Sequence, residues 1–194
     1  DQPRSRGLGD VYKRQLLSFA QILITKMKTT IMDAAVTLFG ICYIVIFLMF
    51  MPIIRSNENG VFLIWYAIFA SWGTDIFAYV FGKLIGKHKF SKISPNKTIE
   101  GCIGGTIGAV ALILIYTIVL NNVCGMNINY LLIGAIGLIL SILSQMGDFA
   151  ASSIKRFTGI KDYSNLIPGH GGMLDRIDSI IFIAPFAYFL LVLI

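Results

Sequence analysis

Charge is scarce in this chain. Asp, Glu, Lys and Arg make up 13% of its 194 residues, about half the share usual in a soluble domain. Too little polar surface remains to cover a globule in water, and with 56% hydrophobic residues and a mean hydropathy of +0.78 the solvent must be partly lipid. Cysteine is scarce too. Cys42, Cys102 and Cys124 lack metal-ligand spacing and read as core or lipid-facing residues, which excludes a cysteine metal site and a disulfide framework. The first fifteen residues contain no apolar signal core of their own, and we do not expect them to be a secretory signal. The first fifteen residues, DQPRSRGLGDVYKRQ, are charged and aperiodic, and we expect a non-native or disordered leader over 1–15 ahead of a single transmembrane helical domain over 16–194.

What is abundant is long apolar runs. Residues 16–25 are apolar but too short to span a bilayer, which takes about 20 residues. Full spans are expected at about 31–54, 61–81, 101–120, 130–148 with a polar continuation to Phe157, and 174–194. The expected fold is therefore an all-α polytopic integral membrane protein with about five transmembrane helices. The last span must start near Leu174, because the residues after Asp178 are too few to cross. From Leu174 to Ile194 a helix reaches about 31 Å.

The cationic residues are distributed unevenly. Lys83, Lys87, Lys89, Lys92 and Lys97 fall in the 82–100 loop, and Lys155, Arg156, Lys161 and Arg176 in the 149–176 segment. The other two loops hold only Arg55. Counting spans puts both basic segments on one side, and the excess of Lys and Arg makes that side cytoplasmic. Lys26 and Lys28 agree. The net charge of +6 is thus assigned to cytoplasmic loops and anionic lipid headgroups, not to nucleic acid.

Gly101, Gly104, Gly105 and Gly108 put small residues four apart on one helix face, a pattern that lets a neighbouring helix approach closely. A phosphate-binding glycine loop is disfavoured, because no strand precedes and no Walker lysine follows.

The chemistry is concentrated in Asp148–Asp178, DFAASSIKRFTGIKDYSNLIPGHGGMLDRID. Asp148, Ser152 and Lys155 share a helix face, as do Asp175 and Asp178 on the next helix. A carboxylate at a membrane boundary is costly unless paired or metal-bound. Ion pairing with Arg156, Lys161 or Arg176 accounts for one aspartate more easily than for Asp75, Asp148, Asp175 and Asp178 together. Carboxylates without Cys or paired His suit a hard cation such as Mg²⁺. That in turn implies a phosphate-bearing substrate, met by Lys155, Arg156, Lys161 and Arg176. His170, in a Gly-rich loop, either meets a phosphate or moves a proton, or else fixes the loop by backbone hydrogen bonds. His88 reads as solvated or headgroup-facing. Asp75 either joins the polar site or pairs with a lysine inside the bundle. Lys97 and Glu100 either pair with each other or touch nucleotide.

The same stretch resembles the signature of the phosphatidate cytidylyltransferase (CDP-diacylglycerol synthase) family. The resemblance rests on Ser153, Lys155, Arg156, Lys161, Asp162, Ser164, Pro168, His170, Gly171, Gly172, Asp175, Arg176 and Asp178. A second block, Asp75, Ala78-Tyr79 and Gly82 followed by Ser94-Pro95, Lys97-Thr98 and Glu100-Gly101, is also similar to the family. Together they cover roughly 31–194. Members of that family carry further N-terminal spans, which this chain is expected to lack.

The resemblance implies transfer of CMP from CTP to phosphatidic acid, releasing pyrophosphate, in phospholipid biosynthesis at the cytoplasmic face of the cell membrane. It implies Mg²⁺, with either a second metal or K⁺ as companion, held by Asp148 and Asp175 with Asp178 close by. The catalytic set implied is Asp148, Asp175, Asp178, Lys155, Arg156 and His170. The substrate-binding set is Lys161, Asp162, Arg176, Ser153, Gly171, Gly172, Asp75 and Lys97. Expected partners are CTP, phosphatidic acid and the bilayer, with a homodimer permitted and no nucleic acid. A CTP-dependent lipid kinase and an ion-coupled transporter are the alternatives.

The topology has a direct test. Cysteines substituted at Lys89 and Lys161 should be labelled from the same side of sealed vesicles; labelling from opposite sides contradicts it.

Overall fold

The computed structural model describes residues 31–90, 94, 97–164 and 172–192. Residues 16–25, Lys26, Lys28, Pro168, His170 and Gly171 lie outside the described residues. Long apolar runs with no water to satisfy their backbone must satisfy it internally, and helices do so. Accordingly the described elements are five α-helices: α1 Ile31–Arg55, α2 Gly60–Ile85, α3 Ile99–Val123, α4 Tyr130–Phe157 and α5 Leu174–Val192. Four of them are long and apolar enough to cross a bilayer, at Ala35–Arg55, Gly60–Ile85, Ile99–Val123 and Tyr130–Phe157. The fifth opens on Asp175, Arg176 and Asp178, so its apolar part is shorter. This is a polytopic helical membrane protein.

The chain divides into two compact units, with the boundary inside α1. In the first, Met32, Val36, Phe39 and Ile46 are exposed, and the Tyr43 ring packs against Phe47 at 4.8 Å.

In the second unit, from Phe50 onward, α2 and α3 pack most closely. The reason is the glycine face of α3. A Cβ on Gly104 would lie 2.5 Å from Phe81 Cβ, and one on Gly108 would lie 2.2 Å from the Phe77 ring. One on Gly105 would lie 2.8 Å from the Thr74 carbonyl oxygen. The glycines thus serve packing. Antiparallel α4 then lies along α3, in a register set by Gln145. Its side-chain amide donates to the Cys102 carbonyl at 3.1 Å and to Thr106 Oγ1 at 2.8 Å. Farther along, Gly137 faces Ile113. Buried polar pairs tie the interior: Tyr66 OH with Thr117 Oγ1 at 3.0 Å, and Thr74 Oγ1 with Ser141 Oγ at 2.6 Å.

Helix ends follow from local chemistry. The Thr98 hydroxyl accepts from the Gly101 amide to cap α3, and Asn129 Oδ1 accepts from Leu131 and Leu132 to cap α4. Helix α4 stops at Gly159, whose φ of 73° suits a residue without a Cβ. The Gly159 amide donates to the Arg156 carbonyl and the Ile160 amide to the Lys155 carbonyl, a Schellman ending. That ending sits just past Lys155-Arg156 and sends the chain back toward the start of α5.

Gly105→Leu should force α2 and α3 apart and cost about 1–3 kcal/mol. Gly134→Ala should be close to neutral, since its Cβ would meet nothing nearer than Leu114 Cδ2 at 3.6 Å. Thermal unfolding in detergent separates the two; equal melting temperatures would contradict the packing role.

Candidate active site

Two ion-paired centres lie at the end of the bundle where α2 and α4 finish and α3 and α5 begin. The first is built from α2, the turn before α3, the start of α3, α4 and the first turn of α5. A cavity of about 350 Å³ is lined by Asp75, Lys97, Thr98, Gln145, Asp148 and Arg176, among others. The Lys97 ammonium pairs with Asp148 Oδ2 and also lies 4.6 Å over the Phe149 ring. Phe90 stacks on the other side of this system, 4.7 Å from Phe149. Lys97 is delivered by a short hairpin-like turn. The Phe90 amide donates to the Lys97 carbonyl and the Ile99 amide to the His88 carbonyl, so 88–90 pairs with 97–99.

Glu100 does not pair with Lys97, one of the two alternatives left open above. Its carboxylate accepts from the Lys87 and His88 amides and meets His88 Nδ1 at 2.6 Å. The α3 start holds Glu100 against the preceding loop, while Lys97, three residues earlier, points across to α4. His88 is therefore exposed, as its sequence context suggested, but it also has a carboxylate partner.

The second centre is deeper. Lys155 donates to Asp175 Oδ1 at 2.8 Å and lies 3.8 Å from Asp178 Oδ2. Asp175 Oδ2 accepts from the amides of Tyr163 and Gly172, both at 2.9 Å. The chain leaving α4 therefore closes over the first turn of α5 through one carboxylate. Gly172 lies close to Ser164 there: a Cβ would lie 2.7 Å from Ser164 Oγ and 3.1 Å from its backbone nitrogen. Asp178 Oδ1 accepts from the Ser179 amide at 2.8 Å. The Tyr163 ring lies 5.1 Å from the Lys155 ammonium; burial pushes its phenol up, with Lys155 opposing.

The two centres adjoin: Asp148 and Lys155 lie seven positions apart on α4, and Arg176, next to Asp175 on α5, lines the first cavity. Asp75, Lys97, Asp148 and Arg176 thus share one cavity, and Lys155, Asp175 and Asp178 form the adjoining cluster. Asp148 and Asp175 are each met by a different lysine. Among the described residues no group of three or more His, Cys, Asp or Glu is gathered closely enough to hold a metal ion. Other expected residues stand apart. Lys161 and Asp162 are exposed, Arg156 Nη1 reaches the Ile160 carbonyl, and the Ser153 hydroxyl donates to the Phe149 carbonyl. His170 and Gly171 lie outside the described residues. Sequence reasoning missed Gln145, which lines the cavity and sets the helix register. Its signal was a polar amide three residues before Asp148 in an apolar run.

Fold and site together define a membrane-embedded protein with a lysine- and carboxylate-lined cavity at one end of its bundle. The sequence profile described as the cytidylyltransferase family matches residues 10–194. The phosphatidate cytidylyltransferase of Staphylococcus haemolyticus is 40% identical over 198 residues, covering 98% of this chain and 74% of the relative. That of Staphylococcus saprophyticus is 39% identical, covering 95% and 71%, and that of Bacillus subtilis 43% identical, covering 74% and 52%. This chain belongs to the cytidylyltransferase family.

The two centres differ in burial, which sets how much each ion pair matters to stability. The Asp175 side chain is 4% exposed and that of Lys155 11%, against 23% and 25% for Asp148 and Lys97. Removing one partner of a buried pair costs about 3–5 kcal/mol, and of a partly exposed pair about 1 kcal/mol or less. Lys155→Met should therefore lower the unfolding temperature much more than Lys97→Met, and Lys155→Met/Asp175→Asn should recover part of the loss. Equal effects of the two single substitutions would contradict the assignment.

Proposed function

We propose that this chain transfers CMP from CTP to phosphatidic acid, giving CDP-diacylglycerol and pyrophosphate, from a site opening on the cytoplasmic face of the membrane. The observation that carries the reading is the cavity in which Lys97 and Arg176 stand beside Asp75 and Asp148 at the membrane boundary of a chain of this family. A substrate with one end in lipid and a phosphate in the headgroup layer fits such a place. Orientation follows from the basic loops on that side.

In this reaction a phosphatidate oxygen bonds to the α-phosphorus of CTP. The bond from that phosphorus to the bridging oxygen breaks, and pyrophosphate carries the electron pair away. Such a step needs positioning and charge neutralisation more than a covalent residue. Lys97 and Arg176 are placed to meet phosphate in the cavity, and Lys155 to meet charge at its deeper edge. Arg156 and Lys161, exposed and outside the cavity lining, suit the outer phosphates of CTP.

The donor set suits Mg²⁺: it is all oxygen, and Lys155 already brings a positive charge between Asp175 and Asp178. Asp148 and Asp175, with Asp178 near Asp175, would hold the ion only once their lysine pairs open, because as they stand the three are not gathered into one site. When bound, it supplies neutralisation of triphosphate charge. Lys97 and Lys155, now paired with Asp148 and Asp175, would then be available to the substrate phosphates. A homodimer is compatible with this reading. Against a transporter, the charged groups gather at one end of the bundle instead of lining a path across it.

Radiolabelled CTP, phosphatidic acid and Mg²⁺ test the proposal: label should enter the lipid as CDP-diacylglycerol. Label only from the γ-phosphate would mark a lipid kinase instead. Asp175→Asn should lower this transfer a hundredfold or more, about 3–4 kcal/mol, measured per folded protein because the same substitution breaks the buried Lys155 pair. Near-normal turnover at saturating Mg²⁺ would leave Asp175 structural.

A further inference from the structure

Beside the polar cavity lies a second, apolar one. It is a groove of about 420 Å³ between α3 and α4, open along one side. Ile103 and Ile107 on α3 and Leu138, Ile142 and Met146 on α4 form its walls, and all five are well exposed. Exposed apolar side chains are ordinary on a membrane protein and by themselves mark nothing. Three features set this groove apart. It shares Cys102 and Gln145 with the polar cavity, so the two are continuous. Its inner end is closed by Phe90 and Phe149, and Phe149 lies under the Lys97 ammonium. Its floor is held rigid, because Gln145 is fixed by hydrogen bonds to Cys102 and Thr106.

We propose that this groove holds an acyl chain of the phosphatidate whose headgroup occupies the adjoining cavity, with Ile107 and Leu138 at its far end setting chain preference. The proposal rests on the reaction given above and names the part of the site that selects among its lipids. Charge complementarity fixes the headgroup end: Lys97 and Arg176 meet a phosphate, and the groove begins where that cavity ends. Geometry fixes the direction. Antiparallel α3 and α4 carry the groove away from the cytoplasmic end, from Phe149 to Leu138. That distance is about 16 Å at 1.5 Å per residue.

A lipid tail gains little by leaving other tails for an apolar wall, since hydrocarbon is as apolar as leucine. The groove therefore does not draw the lipid in. It selects by shape: a tail that fits keeps its dispersion contacts, and one that meets an obstruction loses them. The consequence is that filling the far end penalises long chains and spares short ones.

Photolabelling tests the occupant without relying on turnover. A long-chain phosphatidic acid with a diazirine near the end of one acyl chain is irradiated with the full chain in nanodiscs. Label is expected on the peptides carrying Ile103–Ile107 and Leu138–Met146. Unlabelled phosphatidic acid should compete, and phosphatidylcholine of the same chain length should not. Equal competition by phosphatidylcholine would mean boundary lipid only and would overturn the proposal, as would label confined to other helices.

Leu138→Trp and Ile107→Phe supply the second arm. Each should lower the ratio of kcat/KM for long-chain over short-chain phosphatidic acid about tenfold, with the KM for CTP unchanged. Val119→Phe, on an exposed part of α3 outside the groove, should leave that ratio alone. An unchanged ratio in both groove variants, or an equal loss with both lipids, would overturn the selection role. If wild-type protein makes no CDP-diacylglycerol but the competed label stays in the groove, the reaction falls and the anionic-lipid groove stands.

Discussion

An aspartate at the edge of hydrocarbon is tolerated only where a cation or a set of amides meets it. Most of the architecture of this site follows from that constraint. Asp148 is met by Lys97, and Asp175 by Lys155 and two backbone amides. To bring Lys97 to Asp148, the turn before α3 must fold back on itself and α3 must lie against α4. To bring the Tyr163 amide to Asp175, α4 must end sharply after Arg156, which Gly159 accomplishes. The glycine face of α3 belongs to the same chain of causes. It draws α2 close enough that Asp75 lines the cavity with Asp148.

The helices were legible in the sequence because membrane solvent leaves few alternatives. A run of about 20 apolar residues is a helix, and the turns between runs announce themselves by polarity. Even the continuation of α4 to Phe157 and the start of α5 at Leu174 followed from polarity and length. Pairing was less legible. Lys97 lies three residues from Glu100 and 51 from Asp148, yet it pairs with the distant one. That choice depends on the register of α3 against α4, which Gln145 sets and which no local pattern announces. Likewise the aspartates were readable as a cluster, but not as two centres with separate lysines. Their division depends on what meets α4 at each level: Lys97 from the turn before α3 at Asp148, and the first turns of α5 at Lys155.

The two centres are unlike in a way that bears on catalysis. Lys97 and Asp148 are partly open to the cavity, so their pair can be broken by an incoming phosphate at modest cost. Lys155, Asp175 and Asp178 are nearly closed off, and separating them requires that another charge arrive. A triphosphate carrying its own divalent cation would do both at once. Its anionic oxygens would replace carboxylates as partners of the lysines, and its cation would replace lysines as partner of the carboxylates. Such an exchange would conserve the charge balance of a low-dielectric site while assembling the reactants. It gives a physical reason why Asp148 and Asp175 each stand beside a lysine from another element.

The measurement that bears most directly on this exchange is a structure of the protein with Mg²⁺ and a non-hydrolysable CTP analogue. The exchange account predicts an ion about 2.0–2.1 Å from oxygens of both Asp148 and Asp175, with Lys97 and Lys155 turned from those carboxylates to the phosphates. A nucleotide bound elsewhere, with the Lys97–Asp148 and Lys155–Asp175 pairs both intact, would contradict it.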